Sequence, residues 1–193
     1  TLVVFTSDHG EMMYRHGIFF DHHGLYEGDI HVPLMFRHPS IAPGRVSEFA
    51  AHIDIAPTLL DFCGLPVPPE IEGQSWAPRL KGTGSGPDRD YIVTQECTWQ
   101  MKWAIRTATH KLIVAREPDF YNTPMKELYD LQNDPLEARN IASEQPGLAA
   151  ELEHTLEAWI AGQMEKNGLS QDPLVAHGIT LGKAWKEQQA GGA

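Results

Sequence analysis

Cysteine is scarce in this 193-residue sequence, which contains only Cys63 and Cys97. Two thiols form at most one disulfide, which excludes a disulfide scaffold and a four-thiolate zinc module. Basic residues are also few, with 15 Lys and Arg against 26 Asp and Glu and a formal net charge of -11. Phosphate binding requires clustered positive charge, so we expect no nucleic acid among the partners. No apolar run approaches ~18 residues, so we expect no membrane span in this chain.

The sequence begins at Thr1, without Met, directly before the apolar run from Leu2 to Phe5. A continuous run of this kind predicts a strand that is covered on both faces, as in a parallel sheet. Such a strand needs neighbours, so we expect this sequence to be a piece of a longer protein whose missing part lies upstream. The absence of a targeting segment therefore leaves the cellular compartment open.

The patterning beyond this run predicts an α/β fold in a globular protein, with 41% hydrophobic and 21% charged residues. The stretch from Gly10 to Ile30 is dense in His, Gly and aromatic residues and predicts a long functional loop. The segment HVPLMFR predicts a second core strand. The segment HIDIAPTLLDFCGL predicts a helix with Asp54 as N-cap and Gly64 as its stop. Its buried stripe would be formed by Ile55, Leu59, Leu60 and Cys63.

A Pro- and Gly-rich stretch, PVPPEIEGQSWAPRLKGTGSGPDRD, predicts a surface connection and a domain boundary. We therefore expect a core α/β domain over 1–88, a second subdomain over 89–168 and a C-terminal tail over 169–193. Within the second subdomain, β-rich runs separated by turn signals predict a small antiparallel sheet. A helix is predicted over 143–168, because apolar residues recur there at helical spacing, at Leu148, Leu152, Leu156, Trp159, Ile160 and Met164.

The segment TSDHGE places Asp8 and His9 where the first strand would end. In open α/β sheets, ligands gather at the carboxyl ends of strands, and a carboxylate beside an imidazole suits a metal ion. The same residues also suit an ordinary turn, in which Asp bonds its own backbone and Gly10 takes a positive φ. The residues alone leave both interpretations open.

Five segments in order carry a resemblance to a known family: TSDHGE, HGIFFDHHGLYEGDIHVPLMFRHP, HIDIAPTLLDFCGLPVPPEIEGQSW, WAIRTATHKLI and ELYDLQNDPLEARNIA. Over roughly residues 1–165 they resemble the C-terminal portion of the catalytic domain of a sulfatase, in the alkaline phosphatase superfamily. The resemblance implies the C-terminal part of an alkaline-phosphatase-like mixed sheet, followed by a small antiparallel sheet subdomain with a C-terminal helix. It also implies hydrolysis of small-molecule sulfate esters.

The resemblance implies that Asp8 and His9 are ligands of a divalent metal ion. Sulfatases more commonly have Asp followed by Asn at this place, with bound calcium. Asp followed by His occurs in relatives that include phosphonate monoester and phosphodiester hydrolases. Calcium prefers oxygen ligands and imidazole suits ions such as manganese, so both calcium and manganese stay open. The alternative for His9 is an imidazole that supports the ligands without touching the ion.

The segment FDHHGLYEG carries the second implied site. The family often has a basic residue four positions before the aromatic of a YE or YD pair, and counting back from Tyr26 gives His22. The resemblance implies that His22 is catalytic, because it contacts the sulfate group and assists at the leaving oxygen. His23 takes the substrate-binding role if the loop is shifted by one residue, and His16 is a further pocket candidate. Trp99, Trp103 and Tyr121 either line the substrate cleft or pack, and we expect packing roles for them.

The nucleophile of the family is missing from this sequence. Sulfatases carry a Cys/Ser-x-Pro-x-Arg motif whose Cys or Ser is oxidised to formylglycine, and neither Cys63 nor Cys97 fits it. We therefore expect formylglycine in the N-terminal half of the same protein, and we expect this fragment to be inactive alone. Two alternatives stay open: a phosphonate monoester or phosphodiester hydrolase of the same superfamily, and a non-catalytic metal-binding module.

Overall fold

The computed structural model describes residues 1–179 of the chain. Its strands are β1 (Val3–Thr6), β2 (Met12–Arg15), β3 (Ile18–Asp21), β4 (Leu34–Arg37), β5 (Tyr91–Glu96), β6 (Lys102–Thr107), β7 (His110–Ala115) and β8 (Lys126–Asp130). Its helices are α1 (Glu27–Ile30), α2 (Ile55–Phe62), α3 (Ala77–Leu80), α4 (Pro146–Lys166) and α5 (Pro173–His177), with a 3₁₀ turn at His52–Asp54. The chain forms two compact units, one from Thr1–Thr6 and Pro33–Ile92, the other from Ser7–Val32 and the chain from Val93 onward.

In the first unit, β1 and β4 pair as a two-stranded antiparallel sheet, with Val3 opposite Arg37 and Phe5 opposite Met35. The two predicted strands are therefore present and pair antiparallel with each other, and the expected parallel neighbours of β1 stay a prediction. Val3 and Phe5 are 52% and 57% exposed rather than covered on both faces. Side chains directly opposite each other share a face, so one face of this sheet is exposed and largely apolar, with Arg37 at its end.

Helix α2 lies at the predicted place and stops at Gly64, whose φ of +72° favours glycine. The predicted buried stripe is wrong, because Leu59 and Cys63 are exposed. The buried residues of α2 are Pro57 and Thr58. The Thr58 hydroxyl donates to the carbonyl oxygen of Asp54, directly before the helix, and accepts from the backbone N–H of Trp76. Thr58 is therefore buried where it bonds to a neighbouring loop, a contact that the periodicity of apolar residues does not predict.

The Asp54 carboxylate anchors this part of the first unit. Although α2 begins directly after Asp54, the carboxylate accepts from the backbone N–H of Ala51 at 2.9 Å and of Gln74 at 2.8 Å. Arg89 donates to both of its oxygens, at 2.5 and 2.6 Å. Burial alone would raise the pKa of Asp54, but the hydrogen bonds from Arg89 and Gln74 hold it below its usual value. The carboxylate thus joins the start of α2 to the Pro- and Gly-rich stretch.

In the second unit, the stretch predicted as a loop contains a hairpin in which β2 pairs antiparallel with β3. Met12 and Ile18 are its buried residues. Tyr14, His16 and Phe20 have positive φ, and the strand register shifts between Met12 and Arg15. Such backbone conformations are uncommon for residues other than glycine and cluster at functional sites. The sequence did not predict this hairpin, because its irregular backbone interrupts the alternation of apolar and polar residues that marks a regular strand.

The four-stranded sheet of the second unit has the order β5-β6-β7-β8, with β7 antiparallel to both β6 and β8. Helix α4 packs against β6 and β7, and its buried residues include Leu152, Leu156 and Ile160. The predicted antiparallel sheet and C-terminal helix are confirmed. The helix begins at Pro146 rather than near Ser143, because Pro is favoured at the first helical positions.

A buried ion cluster ties the short helix α1 to this sheet. Lys111 Nζ lies 2.8 Å from a carboxylate oxygen of Glu27 and 2.8 Å from one of Glu137. Arg106 also contacts Glu27, at 3.3 Å, and Glu137 accepts from the backbone N–H of Glu27 at 2.7 Å. These residues belong to three of the motifs that carry the family resemblance. Those motifs therefore hold α1, and the histidine-rich segment before it, against the sheet.

The C-terminal segment continues beyond α4. The Trp103 indole and Arg116 both donate to Asp172, at 3.0 and 2.8 Å, directly before α5. Part of the expected tail therefore packs on the sheet, and its residues 180–193 lie outside the described residues. The expected division at 88 and 168 stays a prediction, since the two units reflect contacts within this chain alone. Among the helices described, none combines the length and apolarity needed to cross a membrane.

Candidate active site

The side chains of Asp8 and His9, which follow β1 in the chain, converge. Asp8 Oδ2 lies 3.6 Å from His9 Nε2, a separation that lets both atoms reach one ion at about 2.0–2.6 Å. His9 Nδ1 lies 2.7 Å from the Gly10 carbonyl oxygen, so Nδ1 donates and Nε2 keeps the lone pair that a metal requires. The bond to Gly10 raises the pKa of His9. The backbone N–H of His9 lowers the pKa of Asp8.

Gly10 is required by a close approach of two backbones. A Cβ at this position would lie 1.9 Å from the carbonyl oxygen of Gly28. The Gly10 N–H donates to the carbonyl oxygen of Asp29 at 2.7 Å. Its φ lies outside the positive region, so the turn interpretation that assigns a positive φ to Gly10 is wrong. Glycine instead lets the segment after His9 pack against α1, which fixes the position of the imidazole.

Two further imidazoles, those of His22 and His23, gather beside this pair. The rings of His9 and His22 stack with 3.9 Å between centroids, and those of His22 and His23 are 4.4 Å apart. Glu11 Oε2 lies 3.6 Å from His22 Nδ1. Atoms of His9, Glu11 and His22 that could ligate a metal ion lie within 4.8 Å of one another, and the same holds for Asp21, His22 and His23. The fold thus brings the predicted histidines together and adds two carboxylates that sequence reasoning missed.

Asp21 supports both histidines of the second implied site. It accepts from the His22 backbone N–H at 2.8 Å, from Nδ1 of His23, and from the Tyr121 hydroxyl at 2.7 Å. Burial alone would raise the pKa of Asp21, but these hydrogen bonds hold it below its usual value. A carboxylate bonded to Nδ1 leaves Nε2 of His23 as the atom that can exchange a proton. Its place directly before two histidines is a sequence signal that could have identified it.

Asp29 is a third carboxyl group that sequence reasoning missed. It is 1% exposed, and within the described residues neither carboxylate oxygen has a hydrogen-bond partner. Burial raises the pKa of Asp29 to about 7, and the negative charges of Glu11 and Asp21 contribute. A Cβ at Gly24 would lie 2.4 Å from Asp29 Oδ2, so glycine makes room for this carboxyl. A perturbed carboxyl near a histidine cluster is typical of a functional site.

The remaining sequence candidates divide into packing and cavity residues. His16 stacks flat on Tyr26 with 3.6 Å between ring centroids, and burial lowers the pKa of His16. It therefore packs on Tyr26 and lines a separate cavity rather than joining the histidine cluster. The packing role of Trp103 is confirmed by its burial and its bond to the segment before α5. Trp99 and Tyr121 line an open cavity, and Tyr121 also packs against the buried core cluster, as expected.

Comparison with known proteins identifies the family. The family model described as N-sulphoglucosamine sulphohydrolase, C-terminal, matches residues 15–165. The chain belongs to the sulfatase family. It is 36% identical over 152 residues to N-acetylglucosamine-6-O-sulfatase of Bacteroides thetaiotaomicron, a match that covers 73% of this chain and 26% of that relative. The resemblance to the C-terminal portion of a sulfatase, drawn from five motifs, is confirmed.

Solved structures confirm the fold of this sulfatase chain. A 2-O GAG sulfatase matches with a TM-score of 0.72 at 28% identity, over 88% of this chain and 38% of that one. The phosphonate monoester hydrolase of Agrobacterium radiobacter matches with a TM-score of 0.64 at 29% identity, over 82% and 35%. The chain thus has the C-terminal part of an alkaline-phosphatase-like fold. It spans about a quarter of the curated relative's length, 26%.

Proposed function

We propose that the protein containing this chain is a metal-dependent sulfatase that hydrolyses small-molecule sulfate esters. The observation that carries this proposal is the convergence of Asp8 Oδ2 and His9 Nε2 at 3.6 Å, beside the stacked imidazole of His22. Sulfuryl transfer builds negative charge on the sulfate oxygens and on the leaving oxygen. One metal ion held by two ligands, beside a side chain that can donate a proton, suits this reaction. Membership of the sulfatase family supports the choice of sulfate over other esters.

The donor set fits a divalent ion. The Gly10 carbonyl holds the proton on Nδ1 of His9, which leaves Nε2 and the Asp8 carboxylate as ligand atoms. We propose manganese or calcium as the ion, and the imidazole favours manganese because calcium prefers oxygen ligands. A bound divalent ion would polarise the sulfate oxygens and orient the attacking group. Within this proposal, the hydrogen bond to Gly10 keeps His9 in the tautomer that can bind the ion.

His22 and His23 are proposed to bind the sulfate group. A protonated imidazole stabilises negative oxygens, and His22 is proposed to assist departure of the leaving oxygen. Stacking on His9 supports this role, because it puts His22 beside a proposed metal ligand. The attacking oxygen is expected from a formylglycine in the N-terminal half of the same protein. This chain alone is accordingly proposed to be inactive.

A phosphonate monoester or phosphodiester hydrolase is the second candidate function. Two observations favour it: His9 stands where sulfatases more commonly have Asn, and the fold matches a phosphonate monoester hydrolase at 29% identity. Tetrahedral phosphoryl and sulfuryl groups suit the same arrangement of metal and imidazole. A non-catalytic metal-binding module would keep the Asp8–His9 pair and hydrolyse neither class of ester.

The proposed function is tested with Asp8→Ala, His22→Ala and His9→Asn in the full-length protein. Asp8→Ala is expected to lose most sulfatase activity, because removal of a carboxylate ligand weakens binding of the ion. His22→Ala is expected to lose less, because loss of one acid or hydrogen-bond donor costs about 10²–10⁴-fold in rate. His154→Ala, at an exposed position of α4, is the control and should retain wild-type activity.

The metal preference supplies an independent measurement. His9→Asn replaces the imidazole with an oxygen ligand and should shift the preference toward calcium. Sulfate release is measured with excess calcium and with excess manganese, and phosphonate monoester hydrolysis is measured in parallel. Unchanged activity and metal preference in all three variants would refute the metal site. Faster cleavage of phosphonate esters than of sulfate esters would establish the second candidate.

A further inference from the structure

The rings of the two neighbouring histidines, His22 and His23, are held in different ways. Nδ1 of His23 is hydrogen-bonded to the Asp21 carboxylate. The ring nitrogens of His22 make no hydrogen bond within the described residues, because Nδ1 lies 3.6 Å from Glu11 Oε2 and 3.9 Å from Asp21 Oδ1. The His22 ring instead stacks on His9, with 3.9 Å between centroids. Of these two rings, that of His23 is therefore the one with a fixed hydrogen-bond direction.

Tyr121 holds the carboxylate that binds the His23 ring. Its hydroxyl donates to Asp21 Oδ2 at 2.7 Å, while Nδ1 of His23 bonds to the other oxygen, Oδ1. Burial raises the pKa of Tyr121, so its hydroxyl stays a donor near pH 7. Burial alone would raise the pKa of Asp21, but hydrogen bonds from Tyr121 and from both histidines hold it below its usual value. An ionised carboxylate only accepts, so Nδ1 of His23 carries a proton and Nε2 is left for a ligand.

Gln100 holds the backbone of His23 from a second direction. Its side-chain amide donates to the His23 carbonyl oxygen at 3.1 Å, and Gln100 is 1% exposed. The Glu96 carboxylate accepts from the backbone N–H of Gln100 at 2.8 Å and of Thr98 at 2.6 Å, which fixes the turn after β5. The backbone and the ring of His23 are thus each bonded to side chains that are themselves held in place.

We propose that Tyr121 and Gln100 are positioning residues, which hold the His23 imidazole so that its Nε2 binds the sulfate group of the substrate. This inference rests on the proposed function, in which His23 is one of two histidines that bind this group. In the imidazolium form Nε2–H donates to a sulfate oxygen. A donor that is already held in place loses little conformational entropy when the substrate binds. Tyr121 and Gln100 therefore act on substrate affinity through His23.

The test uses the full-length protein. Tyr121→Phe removes the hydroxyl and keeps the ring, and Gln100→Met removes the amide and keeps the length of the side chain. Tyr14→Phe is the matched control for Tyr121, because Tyr14 is 60% exposed. Gln132→Met, at an exposed position, is the control for Gln100. Sulfate release from N-acetylglucosamine 6-sulfate and from 4-nitrophenyl sulfate gives kcat and KM.

Tyr121→Phe and Gln100→Met are each expected to raise KM by about two- to tenfold, the cost of one lost hydrogen bond. The sulfate group is bound both in the ground state and in the transition state, so kcat should stay within about twofold of wild type. Both controls should keep KM and kcat within about twofold. Two variants in separate segments keep the test valid if one of them fails to fold.

A His23→Ala background separates positioning of His23 from a general structural role. Once the imidazole is removed, Tyr121→Phe and Gln100→Met should raise KM by no more than about twofold beyond the effect of His23→Ala. A general structural role would raise KM equally in both backgrounds. The dissociation constant of inorganic sulfate, measured by calorimetry, gives the same comparison if His23→Ala turns over too slowly.

The contrary results are distinct. Unchanged KM in Tyr121→Phe and Gln100→Met, equal increases with and without His23, or a fall in kcat at unchanged KM would overturn the inference and leave the proposed function intact. Wild-type protein that releases sulfate from neither ester refutes the proposed function, and the positioning roles fall with it.

Discussion

At the scale of single residues, Asp29 is a buried carboxyl group without a hydrogen-bond partner among the described residues. Its carboxyl group is 1% exposed and lies near the negative charges of Glu11 and Asp21, and burial raises its pKa to about 7. A buried charge costs free energy unless it is paired. Above about pH 7 Asp29 is a buried carboxylate, which destabilises the fold. Below about pH 7 it is a neutral acid, and this destabilisation is absent.

We expect Asp29→Asn to increase the free energy of unfolding more at about pH 8 than at about pH 5. Because the pKa is raised in the folded state, protonation of Asp29 stabilises the fold. That stabilisation is fully present below the pKa of the unfolded chain, about 4, and is lost as the pH rises through about 7. Asn is neutral at every pH, so the difference between the two conditions should be about 1–3 kcal/mol.

Denaturant unfolding of the chain at both pH values measures this difference. Asp88→Asn, at an exposed position, is the control and should show the same small change at both. An identical effect of Asp29→Asn at the two pH values would mean that the Asp29 carboxyl is not destabilised by its surroundings.

At the scale of secondary-structure elements, the ion cluster of Lys111, Glu27 and Glu137 explains why three separated motifs occur together. Lys111 lies in β7 and is fully buried, Glu27 begins α1, and Glu137 follows β8. Hydrogen bonds and the charge of Lys111 hold the pKa of Glu27 far below its usual value although burial alone would raise it. The residues of these motifs thus hold α1 in place, and the proposed chemistry belongs to the segment that precedes α1.

Lys111→Met is expected to lower the free energy of unfolding by about 3–5 kcal/mol, because it leaves two buried carboxylates without their shared cation. Lys126→Met in the adjacent strand is the matched control. Its side chain is 41% exposed and pairs with Glu153, so the cost should be below about 1 kcal/mol. Urea unfolding of both variants measures the loss in the free energy of unfolding. Equal losses would show that the buried cluster stabilises the fold no more than the exposed ion pair does.

At the scale of the whole molecule, the two units differ in the sheets that they contain. The first has a two-stranded sheet with an exposed apolar face, and the second has a four-stranded sheet covered by α4. A two-stranded sheet is marginally stable in water by itself, whereas a larger sheet packed against a helix is stable. The chain is therefore expected to open locally in the first sheet before the second.

Hydrogen exchange of the 193-residue chain tests this order of opening. Backbone amides of β1 and β4 should exchange at least about tenfold faster than those of β6 and β7, because local opening of the smaller sheet costs less free energy. In the full-length protein, the same β1 amides should exchange more slowly if further chain covers the exposed face. Equal exchange rates for both sheets in the isolated chain would contradict the expectation.

Local patterns in the sequence were sufficient to predict much of the secondary structure. Helix α4 follows from apolar residues at helical spacing, and α2 stops at Gly64 because only glycine adopts a positive φ at little cost. The order of five short motifs was sufficient to identify the family, and the family implied the architecture. The same motifs indicated Asp8, His9 and His22, whose roles as ligands and catalyst stay predictions.

Only the tertiary structure decided which groups meet. It paired β1 with β4 antiparallel, buried Thr58 in place of Leu59, and joined Asp21 to Tyr121 across 100 positions of sequence. It also placed Asp29 without a described partner. Propensity and periodicity act between residues a few positions apart, whereas burial, hydrogen bonding and pKa depend on groups that the fold brings together from distant segments. By itself the sequence therefore determined the elements and the family, and the packing decided the surroundings of the histidines.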